Sequence, residues 1–144
     1  MDEEQHYRKL ERMYLSAPIN EIYRPKISIS KGQAEIVMTA EEKFFHAAHA
    51  LHGSVYFKML DDATFFAANS VVTDTFLLTT GFNLHFFRPV TGGEIKAEGR
   101  LTFSSSNLFV AEGKLYTNDG IEVAYGTGTF VKSRKFLNPE IGYS

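Results

Sequence analysis

Residues 54–70, SVYFKMLDDATFFAANS, run for 17 positions without a glycine or proline. Their apolar content is too high for a surface helix, which shows one apolar stripe and an opposite polar face. The stretch therefore predicts a central helix buried on most sides, and the rest of the chain must supply its cover. Downstream, residues 76–87 alternate, with Leu78, Thr80, Phe82, Leu84 and Phe86 on one face and Thr79, Gly81, Asn83 and His85 on the other. That period of two is the pattern of a strand. Residues 94–103 and 108–117 read as two further strands joined by a turn at 104–107, and Asn118-Asp119-Gly120 turns the chain into a fourth at 121–132.

Upstream of the helix, Ser30-Lys31-Gly32 separates two short alternating runs, 26–29 and 33–40, which predicts a hairpin. Residues 2–15 place Tyr7, Leu10 and Tyr14 at i, i+3 and i+7 among charged residues, an amphipathic helix stopped by Pro18. The order is helix, two strands, long helix, four strands. This is an α+β arrangement, an antiparallel sheet wrapped around a long central helix. The length suits one domain over residues 1–144, with the first helix inside 1–17 and a C-terminal tail at 135–144. An alternating strand such as 76–87 would be an exposed edge in a monomer, so pairing with a second copy into a homodimer is expected.

Charge narrows the partners. Fifteen basic residues stand against 17 acidic ones with no dense Lys/Arg cluster, which argues against nucleic acid. No apolar run reaches the ~20 residues that cross a bilayer, and the opening MDEEQHYRKLERM is too polar and acidic for a secretion signal. A cytoplasmic protein with no membrane partner is the expectation. Cysteine is absent, so disulfides, thiolate nucleophiles and Cys-ligated metals are excluded.

On a wheel advancing about 100° per residue, Lys58, Asp62 and Asn69 form a narrow polar stripe, expected to be the wet side of the helix. Asp62 is then a solvated acid with Lys58 four residues away. Asp61 falls off the stripe, flanked by Phe57, Thr64 and Ala68, where a carboxylate is costly without a partner or a use. Two readings stand: a functional acid, or a structural one serving a nearby backbone group. Gly53 and Ser54 lie at the start of the helix, where unpaired N–H groups and the positive dipole end point outward. Gly53 is either a simple loop glycine or an amide able to polarise a carbonyl, as in an oxyanion hole. The two positions are eight residues apart, ~12 Å along one helix. One reacting carbonyl can meet both only if they come from different subunits. His46, His49 and His52 lack the HExxH pattern, so no metal is assigned. No Gly-x-Ser-x-Gly elbow or dinucleotide fingerprint occurs either.

The stretch FHAAHALHGSVYFKMLDDATFFAANS, residues 45–70, resembles the hotdog-fold acyl-CoA thioesterases, specifically the PaaI-like subfamily named for phenylacetate degradation. That subfamily shows Asn-x5-His-Gly-Gly and then Asp nine residues after the histidine. Here His52-Gly53-Ser54 stands at His-Gly-Gly and Asp61 at the acid, while His46 takes the place of the asparagine and Ser54 that of the second glycine. Thr79, in LLTTGFNLHFFRP, falls where relatives place a Ser or Thr near the water. Pro89 with Thr91-Gly92-Gly93 matches the Pro-x-x-x-Gly strand ending, and GIEVAYGTGTFVKSR matches the last strand. The likeness covers roughly residues 20–134.

The resemblance implies a hotdog fold and hydrolysis of acyl-CoA thioesters without a cofactor. Asp61 would be general base on water or, less simply, the nucleophile. The Gly53 N–H of a partner subunit would polarise the carbonyl, His46 would bind oxygen or water, Thr79 would steady the water, and His52 and Ser54 would bind substrate. A homodimer, paired further into a homotetramer as in relatives, is implied as well. Two alternatives remain at this level, a non-catalytic acyl-CoA-binding or regulatory module and a hotdog hydratase or dehydratase.

Overall fold

The computed structural model describes all 144 residues. Helix α1 spans Glu3–Ser16. Asp2 caps it by accepting from the Gln5 N–H at 2.8 Å, and Gln5 Oε1 accepts from the Asp2 N–H at 3.1 Å, a reciprocal capping box. Its apolar face buries Tyr7, Leu10, Met13 and Tyr14. A single extra turn, α2 at Asn20–Tyr23, follows Pro18. The hairpin forms from β1, Lys26–Ser30, and β2, Gln33–Thr39, and turns at Gly32 with φ +69°.

The central helix α3 spans Gly53–Asn69, with 11 of its 17 residues buried. Four longer strands follow: β3 at Thr75–Phe86, β4 at Glu94–Ser104, β5 at Leu108–Thr117 and β6 at Glu122–Phe136. All six strands form one antiparallel sheet in the order β1-β2-β4-β5-β6-β3. The helix lies against this sheet, and the buried core includes Leu60, Ala63, Ile36, Ile95, Leu115 and Phe130. Contact is closest over the middle strands. A methyl group on Gly99 of β4 would lie 2.5 Å from the Ala63 carbonyl carbon and 2.8 Å from the Thr64 nitrogen. Only glycine lets the helix backbone rest directly on the strand there.

The strand predicted at 76–87 is present but its faces are not those that uninterrupted alternation predicts. Between Thr79 and Gly81 the pairing with β6 shifts by one, since Thr79 faces Phe130 and Gly81 faces Thr129. Thr80 is the extra residue of a β-bulge, and a bulge reverses the side-chain phase beyond it. Leu77 is therefore buried and Leu78 half-exposed before the bulge, whereas Phe82 and Phe86 after it pack on Phe57 and Tyr56 of α3. Strand β3 is also the terminal strand of the sheet. Beyond β6, the expected tail is held down: Pro139–Ile141 forms a short turn of 3-10 helix and Tyr143 is buried. Its hydroxyl lies 2.7 Å from His6 Nδ1, while His6 Nε2 lies 3.0 Å from the Asn69 carbonyl. A carbonyl only accepts, so Nε2 donates and Nδ1 accepts from Tyr143.

Candidate active site

Asp61 sits midway along α3, and its Oδ1 accepts a hydrogen bond from the Thr79 hydroxyl at 2.8 Å. Thr79 lies before the bulge, in phase with buried Leu77 and turned toward the helix. Burial pushes the Asp61 carboxyl above the ordinary carboxylate range. The Thr79 hydrogen bond opposes that rise, the neighbouring charge of Asp62 adds to it, and Lys58 opposes it. The result is a carboxylate of raised basicity at the rim of a cavity.

The polar stripe predicted as the wet side is covered. Asp62 Oδ2 accepts from the Tyr14 hydroxyl at 2.7 Å and from Lys58 Nζ at 2.6 Å. Lys58 Nζ in turn stands 5.2 Å and 5.1 Å from the ring centres of Tyr14 and Tyr23, within cation–π range. Helix α1 and the α2 turn thus roof the stripe, and Asp62 is a shielded, well-paired carboxylate, not a solvated one. Burial and the Asp62 charge push the Tyr14 phenol up, so it remains a hydroxyl donor. Asn69 is fully buried and structural: its Nδ2 donates to the Val72 and Thr75 carbonyls at 3.1 Å each, and its Oδ1 accepts from the Leu77 N–H at 3.0 Å. It staples the end of α3 to the start of β3.

At the other end of the helix, Gly53 is the first helical residue and its N–H has no acceptor within the chain. The Phe86 ring lies where a side chain at Gly53 would go, 3.2 Å from such a carbon. His52 and Ser54 are engaged with each other: His52 Nδ1 accepts from the Ser54 N–H at 3.0 Å and lies 2.8 Å from its hydroxyl. Together they cap the helix. His46 is exposed and its Nδ1 accepts from the Ala48 N–H at 3.0 Å, which leaves Nε2 as a donor. It lines a cleft of about 330 Å³ with Gly53, Tyr56, Phe86, Phe87 and Arg88. His46, His49 and His52 do not gather into a ligand set for a metal.

Asp61 and Thr79 line a different cavity, of about 800 Å³, from the one that holds Gly53 and His46. Within one chain the acid and the free amide therefore serve separate recesses. The family model of the thioesterase superfamily matches residues 48–124, a span that contains Gly53, Asp61 and Thr79. The chain belongs to the thioesterase superfamily. Its membership brings hydrolysis of thioesters in general. No curated protein matches the sequence, but solved structures match the fold. The PaaI protein of E. coli, from the phenylacetic acid degradation operon, superposes with a TM-score of 0.85 at 18% identity, over 94% of this chain and 99% of that one. A thioesterase family protein from Silicibacter pomeroyi superposes with a TM-score of 0.80 at 23% identity, over 90% of this chain and 97% of that one. The architecture is thus the hotdog fold. No helix is long and apolar enough to cross a membrane.

Two features of the site escape the sequence reading, the Tyr14 roof and the bulge. The doublet Thr79-Thr80 before Gly81 was the available sign of the second, because it interrupts a run of large apolar residues. Nothing local marks the first, since Tyr14 lies 48 positions from Asp62.

Proposed function

We propose that the protein hydrolyses acyl-CoA thioesters in a cleft shared by two protomers. The observation that carries this reading is the division of α3: a basic carboxylate at its middle and an unpaired amide at its start, facing different recesses of the same chain. Strand β3 supports a pairing partner, because it ends the sheet and leaves Leu78, Phe86 and Phe87 at least half-exposed beside both recesses. Two copies joined edge to edge would bring the Gly53 amide of one toward the Asp61 carboxylate of the other. Further pairing of dimers into a homotetramer is compatible with this arrangement.

In this reading Asp61 takes a proton from a water as the water oxygen attacks the thioester carbonyl. Burial keeps the carboxylate basic enough for the task, and the Thr79 hydroxyl holds it in place and keeps it ionised. The new oxyanion is stabilised by the Gly53 N–H and the positive end of α3 in the partner. His46 adds a donor there through Nε2, in the place an amide side chain would fill. Collapse of the tetrahedral intermediate breaks the carbon–sulfur bond, and the departing thiolate recovers the proton held by Asp61. His52 and Ser54 act by holding the amide end of the helix in shape at the substrate's edge.

The test is complementation. Asp61→Asn removes the base, and Gly53→Pro removes the amide hydrogen at the helix position that best tolerates proline, with the Phe86 ring giving way by a few tenths of an ångström. Each alone should release no thiol from a panel of short, long and aromatic acyl-CoAs. Subunits of the two variants, unfolded, mixed equally and refolded, should recover about a quarter of native activity, because half the dimers are mixed and each keeps one intact site. A mixture as inactive as its parents would remove the shared cleft, and full activity of Asp61→Asn would remove the base.

A further inference from the structure

The recess beside Asp61 is far larger than the reacting group requires. At about 800 Å³ it is comparable to cavities that hold entire small ligands, and at roughly 30 Å³ per water-sized group it has room for well over ten methylenes. Asp61 and Thr79 are hydrogen-bonded at its edge beside the Lys58–Asp62 pair. Ser16, Asn20 and Glu140 add polar groups elsewhere in a lining whose other members are mainly apolar. Phe65 and Phe66 of α3 and Phe76 of β3 form one wall, with Phe65 centred 5.0 Å from each of the other two rings.

Further lining comes from the two ends of the chain. Residues 16–20, where α1 ends and α2 begins, and residues 139–142, before Tyr143, border the recess. Both lie outside the stretch that the superfamily model matches. They are fixed in place by the Tyr14–Asp62 hydrogen bond on one side and the His6–Tyr143 pair on the other. A largely apolar recess beside the acid, bordered by anchored terminal segments, is a means of measuring an acyl group.

We infer that this cavity binds the acyl chain of the substrate, that the chain is a long aliphatic one, and that the terminal segments set its length through Ala17. The inference rests on the thioesterase reading of Asp61. Ala17 is the cap residue of α1, with φ −62° and ψ 133°, an extended conformation open to any side chain. It lines the cavity with only a methyl group, so a larger side chain there takes up space inside it.

The experiment measures binding and turnover separately. S-alkyl coenzyme A thioethers from butyl to tetradecyl, which cannot be hydrolysed, are titrated by calorimetry into native protein, Ala17→Leu and Ala17→Trp. The matching acyl-CoAs are then assayed for released thiol. Native affinity should rise about fourfold per methylene and level off only beyond dodecyl. Ala17→Trp should level off several carbons earlier and bind the butyl compound as native does, with Ala17→Leu between them. Unchanged butyl binding and an unchanged melting curve certify the fold of each variant. Native affinity that does not grow with chain length would overturn the inference, as would an identical plateau in both folded variants. Length-dependent binding with no turnover of any acyl-CoA would leave the cavity assignment standing and remove hydrolysis. Turnover without length dependence would do the reverse.

Discussion

Gly99→Ala tests whether the position of the acid is set by backbone contact between helix and sheet. The added methyl would lie 2.5 Å from the Ala63 carbonyl carbon and 2.8 Å from the Thr64 nitrogen, and closer still to the Ala63 oxygen, where ordinary contact begins at 3.4 Å. Relief needs about 1 Å of separation, and neither partner is a side chain that can rotate away. Overpacking of this kind costs about 1–3 kcal/mol. A backbone clash belongs at the upper end, or about a 10 °C loss in melting temperature for a domain of this size. Because Asp61 is carried two residues from Ala63 on the same helix, the shift also moves it relative to Thr79. A misplacement of about 1 Å lowers turnover on the order of a hundredfold. Gly113→Ala is the internal control. Its methyl would meet the Thr64 and Leu60 side-chain ends at 3.0 and 3.1 Å, which yield by a few tenths of an ångström, so the cost is about 1 kcal/mol or less. Calorimetric melting and kcat/KM on one acyl-CoA are measured for both. If the two variants melt and turn over alike, the helix is not seated by that glycine and the reasoning fails.

Thr79→Val should lower kcat/KM about fivefold, given about 1 kcal/mol for a partly exposed hydrogen bond to a charged acceptor. It should also move the acid limb of the pH profile upward, because the bond that opposes the burial effect on Asp61 is lost; Thr79→Ser should restore both. Asp61→Asn should be more stable to urea than native at neutral pH. A carboxyl whose folded pKa is raised stabilises fully only below its unfolded value, ~3.9, and opposes folding as pH climbs through the folded one. The advantage should therefore vanish near pH 3, and an advantage that persists there would show that charge burial is not its source. Leu78→Lys, a change on the exposed side of the edge strand, should yield monomers by sedimentation with little thiolesterase activity; dimers of full activity would place the interface elsewhere. Phe130→Ala empties a fully buried site against Phe65 and should cost about 3–5 kcal/mol by chemical denaturation.

Much of this architecture can be read from the chain because each element is stated locally. Glycine and proline are absent from α3 after its first residue, the turn residues at Gly32, 104–107 and Asn118-Asp119-Gly120 stand where strands end, and Pro18 stops α1. Asp61 is conspicuous as a charge among apolar neighbours, and its special setting follows from one-dimensional information alone. The pairing of Asp62 with Tyr14 does not. A wheel describes what a helix offers, and the partner that covers the offering, Tyr14, belongs to a distant segment. The faces of β3 depart from simple alternation for a related reason. Parity holds only along an unbroken ladder, and one unpaired residue opposite β6 inverts it. The proposed sharing of one cleft by two protomers rests on the eight residues between Gly53 and Asp61, but the surfaces that would meet are not written in any local stretch of the chain.

The extra residue at Thr80 also divides the labour of its strand. Before it, Thr79 answers to the acid; after it, Phe82 and Phe86 grip the helix. Residues of opposite parity on the two sides of the bulge therefore all face α3, and deletion of the one extra residue would turn either Thr79 or the aromatic pair away from the helix.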